Sequence, residues 1–254
     1  MRTSISEEKL IIISDLHIGN PFCFHKDDIS DFLDWVAESD YSLCINGDWL
    51  EIAQTSFRKL AREAPELFAK LGRIHSSGKN LYYVVGNHDV VSEHFVEAWG
   101  GFQVVPFLNL DSGGRRIRIE HGHLYDPFFV NHPVLYEFAT EFAGVLLNFW
   151  PAVYKLWIKF EKMKSRLRAG AGVNIESIEG ESPSFRQAAR ELLDRGFDAV
   201  CFGHTHYGGL GDMGEGKQYV NSGTWLFSPS YVTITEGSIK VHSWERAQMS
   251  SILN

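Results

Sequence analysis

Short apolar runs bounded by turn residues recur along the chain, at Leu10 to Ser14, Tyr41 to Ile45, Asn80 to Val85, Arg116 to Glu120 and Asp198 to Phe202. Runs of this length and composition predict buried β-strands. Between them the period changes. Ile29, Phe32, Leu33 and Val36 recur at helical spacing within Asp28 to Ala37, and Phe185 to Leu193 follows a Ser-Pro pair suited to the first turn of a helix. Strands alternating with helices predict an α/β sheet with crossover connections. Beyond Thr205 the segments become shorter and glycine-broken, at Gln218 to Val220, Tyr231 to Thr235 and Ile239 to Ser243, which predicts antiparallel sheet. From Leu124 to about Ser182 the alternation gives way to long aromatic-rich helical patterns and then a Gly/Ala/Glu/Ser segment, read as a helical insertion, in a chain long enough for one large domain or two small ones.

Each of the first five predicted strands ends in a polar cluster: Ser14-Asp15-Leu16-His17, Asn46-Gly47-Asp48, Gly86-Asn87-His88-Asp89, His121-Gly122-His123 and Gly203-His204-Thr205-His206. Ligand sites of α/β sheets lie outside the carboxyl ends of strands, so these five loops are expected to converge on one crevice. Asp-x-His and His-x-His on an extended backbone place both side chains on one side, because side chains alternate with period two. Asp15, His17, Asp48, Asn87, His121, His204 and His206 then supply seven nitrogen or oxygen donors. That is too many for one tetrahedral catalytic ion and suits two ions sharing a bridging carboxylate. His123 and Asp126, where the insertion begins, are candidates for substrate binding or for supporting the ligands from behind, with helix capping as the plainer role. His25, His75, His94, His132 and His242 have no such context and read as ordinary surface or core histidines.

The order Asp-x-His, Gly-Asp, Gly-Asn-His-Asp, a histidine after a strand and Gly-His-x-His, running from Asp15 to His206, resembles the calcineurin-like metallophosphoesterases. The resemblance implies an αββα sandwich of two mixed sheets flanked by helices, a single domain spanning 1–254 with the insertion as a cap. It implies that Asp15, His17 and His206 hold a first divalent ion and Asn87, His121 and His204 a second, with Asp48 bridging. Mn is the first expectation for the metal, with Fe, Zn and Co chemically acceptable to the same donors. Two such cations activate a water for in-line attack on a phosphoester or pyrophosphate. His88 would be the catalytic residue on the leaving-group side, protonating the departing oxygen or stabilising charge on the phosphoryl group. Glu51, three residues after Asp48, stands where the family often has an acid that orients this histidine.

Composition narrows the partners. Of 254 residues, 24 are Lys or Arg and 32 are Asp or Glu, so the net charge is −8, which argues against a duplex nucleic acid partner. Cys23, Cys44 and Cys201 show no zinc or disulfide spacing and predict a reducing, cytoplasmic setting. Met1 to Lys9 is polar, with no apolar core of secretory length, and the most apolar stretch free of charge, Phe142 to Tyr154, is too short to span a bilayer.

Against the negative whole, Lys155 to Arg168 holds six basic residues and only Glu161 as an acid. With the aromatic residues before it, the 142–168 region suits peripheral contact with the inner face of a membrane, or else simply caps the core. Asp-Leu-His, Gly-Asp-x-x-Glu and a basic helical insertion are similar to the UDP-2,3-diacylglucosamine hydrolase group, which implies a nucleotide-linked acyl lipid as substrate. The sequence departs from that group at His88, where arginine is typical, and at His121-Gly122-His123, where His-Gly-Asp is typical. The competing expectations are a soluble phosphatase or phosphodiesterase acting on nucleotides or phosphoproteins and, from another class, a non-catalytic interaction scaffold.

Overall fold

The computed structural model describes residues 3–20, 23, 25–51, 57–88, 102–135, 152, 156, 178, 180–226 and 228–245, the side chains of 57–64 excepted. Most of the aromatic and basic insertion, including all six basic residues from Lys155 to Arg168, therefore lies outside the described residues, as do Asp89 and His94.

Two six-stranded mixed sheets face one another. One runs β12-β11-β2-β3-β4-β5, from Lys9–Ile13 (β2), Ser42–Asn46 (β3), Leu81–Val84 (β4), Phe102–Val105 (β5), Ser230–Thr235 (β11) and Ser238–Ser243 (β12). The other runs β1-β6-β7-β8-β10-β9, from Ser4–Ser6 (β1), Leu108–Ser112 (β6), Arg115–Ile119 (β7), Ala199–Phe202 (β8), Gly209–Gly214 (β9) and Lys217–Asn221 (β10). Strands β2, β3, β4 and β5 are mutually parallel, and so are β7, β8 and β10, while β11 and β9 pair antiparallel at the flanks.

The apolar runs read from the sequence are continuous because their strands are covered on both faces. Along β2, Leu10 and Ile12 join the core between the sheets, where Cys44, Val84, Ile117, Ile119, Cys201 and Val220 also lie. Ile11 and Ile13 point the other way, into a second core beneath helices α1 (Lys26–Glu38) and α2 (Phe57–Ser76). A third core forms where Phe185, Ala189, Leu192 and Leu193 of α4 (Pro183–Asp194) cover Val200, Phe202 and Tyr219. A helix layer, two sheets and a second helix layer follow, the expected sandwich. A further described helix, α3 (Pro127–Asn131), is a single short turn capped by Asp126.

The predicted segments fall within one or two residues of observed elements. The sequence reading placed no element over α2, β1, β5, β6 or β9. It also treated the chain beyond Thr205 as one antiparallel unit, whereas β9 and β10 join one sheet and β11 and β12 the other. The sheets are tied to each other at both ends. At one, Asn46 Nδ2 donates to Glu120 O at 2.9 Å; at the other, Arg115 Nη1 donates to Gly237 O at 2.8 Å and Gly237 N to Ser112 Oγ at 3.1 Å.

Candidate metal centre

The carboxyl ends of β2, β3 and β4 in one sheet and of β7 and β8 in the other open on the same crevice, and each delivers its polar cluster there. Backbone bonds lock neighbouring loops: Asp15 N to Gly47 O (3.1 Å), His17 N to Asp48 O (2.9 Å) and Gly203 N to His121 O (3.0 Å). Carboxylates reach across to the rest, with Asp48 Oδ1 accepting from His88 N (2.9 Å) and Asp15 Oδ2 from His204 N (3.1 Å).

The reason that Asp15 pairs with His17, and His204 with His206, differs from the sequence expectation. Period-two alternation on an extended backbone is not how they meet. Asp15, His17, His204 and His206 all have left-handed backbones, at φ 53°, 47°, 65° and 59°, and so does Asp48 at 52°. Each loop coils at its donors and turns them inward. Gly47, between Asn46 and Asp48, has φ +81°, and a Cβ there would come within 2.3 Å of His121 Nδ1.

The donors gather in three overlapping groups: Asp15, His17 and His206; His17, Asp48 and His88; and Asp48, His121 and His204, with the atoms of each group within 4.8 Å of one another. Asn87 joins the last, its Oδ1 lying 2.9 Å from His204 Nδ1 and 3.2 Å from His121 Nε2. His121 Nδ1 sits 2.8 Å from Asn46 O, so it carries a hydrogen and leaves Nε2 to face Asp48 Oδ2 at 3.3 Å. Glu51 sets two rings at once. Its Oε2 is 2.9 Å from His17 Nδ1 and its Oε1 is 2.6 Å from His88 Nδ1, which turns the Nε2 of His17 toward Asp15 and Asp48. His204 lies flat against Phe185, ring centroids 5.9 Å apart, and its Nε2 approaches Asp126 Oδ2 at 3.1 Å.

Among the described residues, Asp15 Oδ1 and His17 Nε2 in this crevice are buried without a hydrogen-bond partner, as are Asn46 Oδ1 and His123 Nδ1 beside it. His206 Nε2 comes within 3.1 Å of Asp15 Oδ1 but out of hydrogen-bonding line. Orphaned donors and acceptors of this kind are rare in native interiors and mark a site for an absent group. The electrostatics agree. Burial would raise the carboxyls of Asp15, Asp48 and Glu51, yet the surrounding imidazoles outweigh it, holding Asp15 and Glu51 at about 2 and Asp48 well below the usual carboxylate range. Burial likewise pulls His121 down, but Asp48 and Asp15 drive it up to about 10. Ionised carboxylates and imidazoles with no thiolate among them form a donor set suited to divalent Mn, Fe, Zn or Co.

His123 and Asp126 stand at the rim. His123 is edge-on to Phe129 and 5.6 Å from the His121 ring, and burial with neighbouring His121 and His204 pushes it down to about 3. Asp126 accepts from Phe128 N at 2.8 Å, capping α3, while its other oxygen faces His204. Sequence reasoning missed Asn46, whose side chain and carbonyl hold the two halves of the crevice together. It also missed Glu181, buried behind Thr205, whose oxygen Oε2 accepts from Thr205 Oγ1 at 3.0 Å. Asn46 stands inside a quoted motif and was legible there; Glu181 carries no local signal.

A sequence model of the calcineurin-like phosphoesterase family matches residues 8–208. No curated protein matches the chain. Among solved structures, a dimetal phosphatase from Danio rerio is similar at 9% identity and TM-score 0.48, covering 92% of this chain and 95% of that one. The 5'-nucleotidase from Candida albicans is similar at 10% identity and TM-score 0.45, covering 94% and 52%. Vps29 from Chaetomium thermophilum is similar at 15% identity and TM-score 0.44, covering 94% and 97%.

Proposed function

The chain belongs to the calcineurin-like phosphoesterase family, and on that premise we propose that its crevice holds two divalent cations and hydrolyses a phosphoester or pyrophosphate bond. Asp15, His17 and His206 hold one cation, Asn87, His121 and His204 the other, and Asp48 lies between them. The observation that carries this reading is the set of overlapping donor groups, with Asp48 shared by two of them, around buried atoms that have no hydrogen-bond partner among the described residues. When bound, the cations supply charge neutralisation at the phosphoryl oxygens and a water acidic enough to attack.

The residues of the chain do the rest. Glu51 holds the ring of His17 for its cation and the ring of His88 for substrate, fixing both tautomers through their Nδ1 atoms. His88, with its backbone tied to Asp48 and its Nδ1 held by Glu51, would hydrogen-bond a phosphoryl oxygen or hand a proton to the departing one. His123 and Asp126 border the second cation's ligands, where a substrate would enter.

For the substrate we propose a nucleotide-linked lipid as the first compound to test. Its support is the set of exposed apolar residues at the start of the insertion, Leu124, Phe128, Val130, Val134 and Leu135, in the same stretch of chain as His123 and Asp126. Nothing comparable is needed for a simple nucleotide. Among the described residues no helix is long and apolar enough to cross a membrane; the peripheral membrane contact that we propose for the 142–168 region rests on its sequence alone. We read the chain as one domain carrying this insertion.

The deciding experiment is turnover by Mn-reconstituted protein on a UDP-linked diacyl sugar and on aryl phosphates, beside Asp48→Ala. Metal-dependent hydrolysis that is lost in the variant is the expected result. Turnover of aryl phosphates or nucleotides alone would transfer the reading to a soluble phosphatase. Absence of metal-dependent hydrolysis on every phosphomonoester, phosphodiester and pyrophosphate tried would leave only a non-catalytic scaffold.

A further inference from the structure

Behind the loop that carries His204 and His206 lies a polar knot that the proposed chemistry does not use. Its centre is Glu181, 3% exposed, at the junction between the 124–182 insertion and α4. One carboxyl oxygen, Oε2, accepts from Thr205 Oγ1 (3.0 Å), Tyr219 OH (2.8 Å) and Asn221 Nδ2 (3.0 Å), while Oε1 accepts from Ser182 N (2.8 Å). None of these partners is a cation. Asn221 Nδ2 also reaches Gly203 O (3.0 Å) and Thr205 Oγ1 (2.9 Å), so the same knot grips the loop at Gly203 and at Thr205.

A second contact comes from the neighbouring residue. At Gly180 a Cβ would fall 2.6–2.7 Å from the ring of Tyr207, so the insertion's last turn is pressed directly on the residue after His206. Residues 180–181 thus seat Thr205 and Tyr207, which alternate with His204 and His206 along the loop. Both histidines sit in the left-handed region, a conformation that a histidine leaves unless its neighbours fix it. A carboxyl group without a counter-charge is a costly plug for an interior, where an apolar side chain of similar size would fill the space more cheaply. What it provides instead is a set of directional bonds aimed at this loop.

We infer that Glu181 is a positioning residue of the metal centre: by holding Thr205 it fixes the turns that present His204 and His206, and it couples the end of the insertion to cation affinity. This rests on the reading that those two histidines hold the cations. Through the same link, anything that displaces the end of the insertion loosens the ligands on either side of Thr205.

The test is calorimetric titration of Mn(II) into the metal-free full chain, for wild type, Glu181→Gln, Thr205→Val and Tyr219→Phe. An amide at 181 puts an N–H where only acceptors fit, and valine at 205 removes the hydroxyl at nearly constant shape. The expected result is two Mn(II) per wild-type chain, with at least one bound about 10- to 100-fold more weakly in Glu181→Gln and Thr205→Val, the usual loss when an outer hydrogen-bond partner of a ligand is removed. Tyr219→Phe, which deletes a bond to Glu181 and the 3.4 Å contact from Asn221 Nδ2 but none made to the loop itself, should bind far closer to wild type than either of the other two variants does. The Glu181→Gln/Thr205→Val double variant should be no worse than the weaker single one. Should Glu181→Gln fail to fold, Thr205→Val carries the comparison. Wild-type affinity in both variants overturns the inference and leaves the dimetal reading standing, whereas a wild-type chain that binds no Mn(II) removes both.

Discussion

Seven described residues other than glycine have positive φ, and five of them, Asp15, His17, Asp48, His204 and His206, are proposed ligands. Each costs roughly 1–2 kcal/mol relative to an ordinary backbone, so the loops keep this shape only because neighbours hold them. Gly47 is one such neighbour. Alanine at this position meets both the left-handed penalty and the His121 ring, and Gly47→Ala should lose more than about 2 kcal/mol together with cation affinity. Chemical denaturation and Mn(II) titration check this, and a variant of wild-type stability would show that the ring moves aside freely. Glu181 offers a different handle. Burial lifts its carboxyl above the ordinary range, outweighing the bonds donated by Ser182, Tyr219, Thr205 and Asn221. The folded chain therefore holds this proton more tightly than the unfolded one. The stability it contributes is complete below the ordinary glutamate pKa and is lost as pH rises through the folded value. Glu181→Gln does not titrate, so in metal-free protein its stability relative to wild type should climb between about pH 4 and pH 7. Urea melts at both pH values measure it; a flat or falling difference contradicts the raised pKa. The donor residues themselves were legible as letters at strand ends. Their backbone shape was not, because histidine and aspartate have no preference strong enough to announce a left-handed turn. Glu181 was hidden for another reason: Thr205, Tyr219 and Asn221 reach it only through the fold.

Elements were legible in proportion to how completely they are buried. Strands β2, β3, β4 and β8 are enclosed on both faces, so their apolar runs are unbroken and their ends stand out. Strand β9, with three glycines in six residues, owes its place to pairing with β10 rather than to any propensity of its own. Helix α2 buries Leu67, Leu71 and Ile74 at helical spacing, but Pro65 within it reads as a breaker. Helix α1 was readable from Ile29, Phe32, Leu33 and Val36, all buried. What the pattern could not convey is the company Phe32 keeps: Trp35, Trp225, Tyr231 and Trp244 surround it with ring centroids 5.0–5.5 Å away. Trp225 donates its backbone N–H to Asp15 O at 3.2 Å, so this aromatic cluster also steadies the first ligand loop. Phe32→Ala should cost about 3–5 kcal/mol, read by urea denaturation. A loss under about 1 kcal/mol would mean that the cluster closes over the gap.

At the scale of the whole molecule, the proposed ligands come from both sheets, so a cation held between them would bind the folded sandwich and not its parts. Chelation should then lower the melting temperature of one cooperative transition. Free Mn(II) at about a hundred times its dissociation constant adds roughly 2.7 kcal/mol, which for a chain of this size corresponds to about 5–10 °C. Calorimetry with and without chelator measures the shift; two separate transitions, of which only one responds to metal, would contradict the single-domain reading. An α/β sheet followed from the alternation of strands and helices and the two-sheet sandwich from the family resemblance, but the division of the C-terminal strands between the sheets followed from neither, since sequence order is silent on which sheet a strand joins.

Asn46 and Glu120 fasten the layers beside the crevice, and Arg115, Gly237 and Ser112 fasten them at the far end. A stack pinned at two opposite points has little freedom to shear or to gape. Domain-closure motions, by which many hydrolases fold around their substrates, are therefore denied to these two layers. Turnover must proceed on a stationary floor, with whatever gating it requires delegated to the connecting segments hung from the rim.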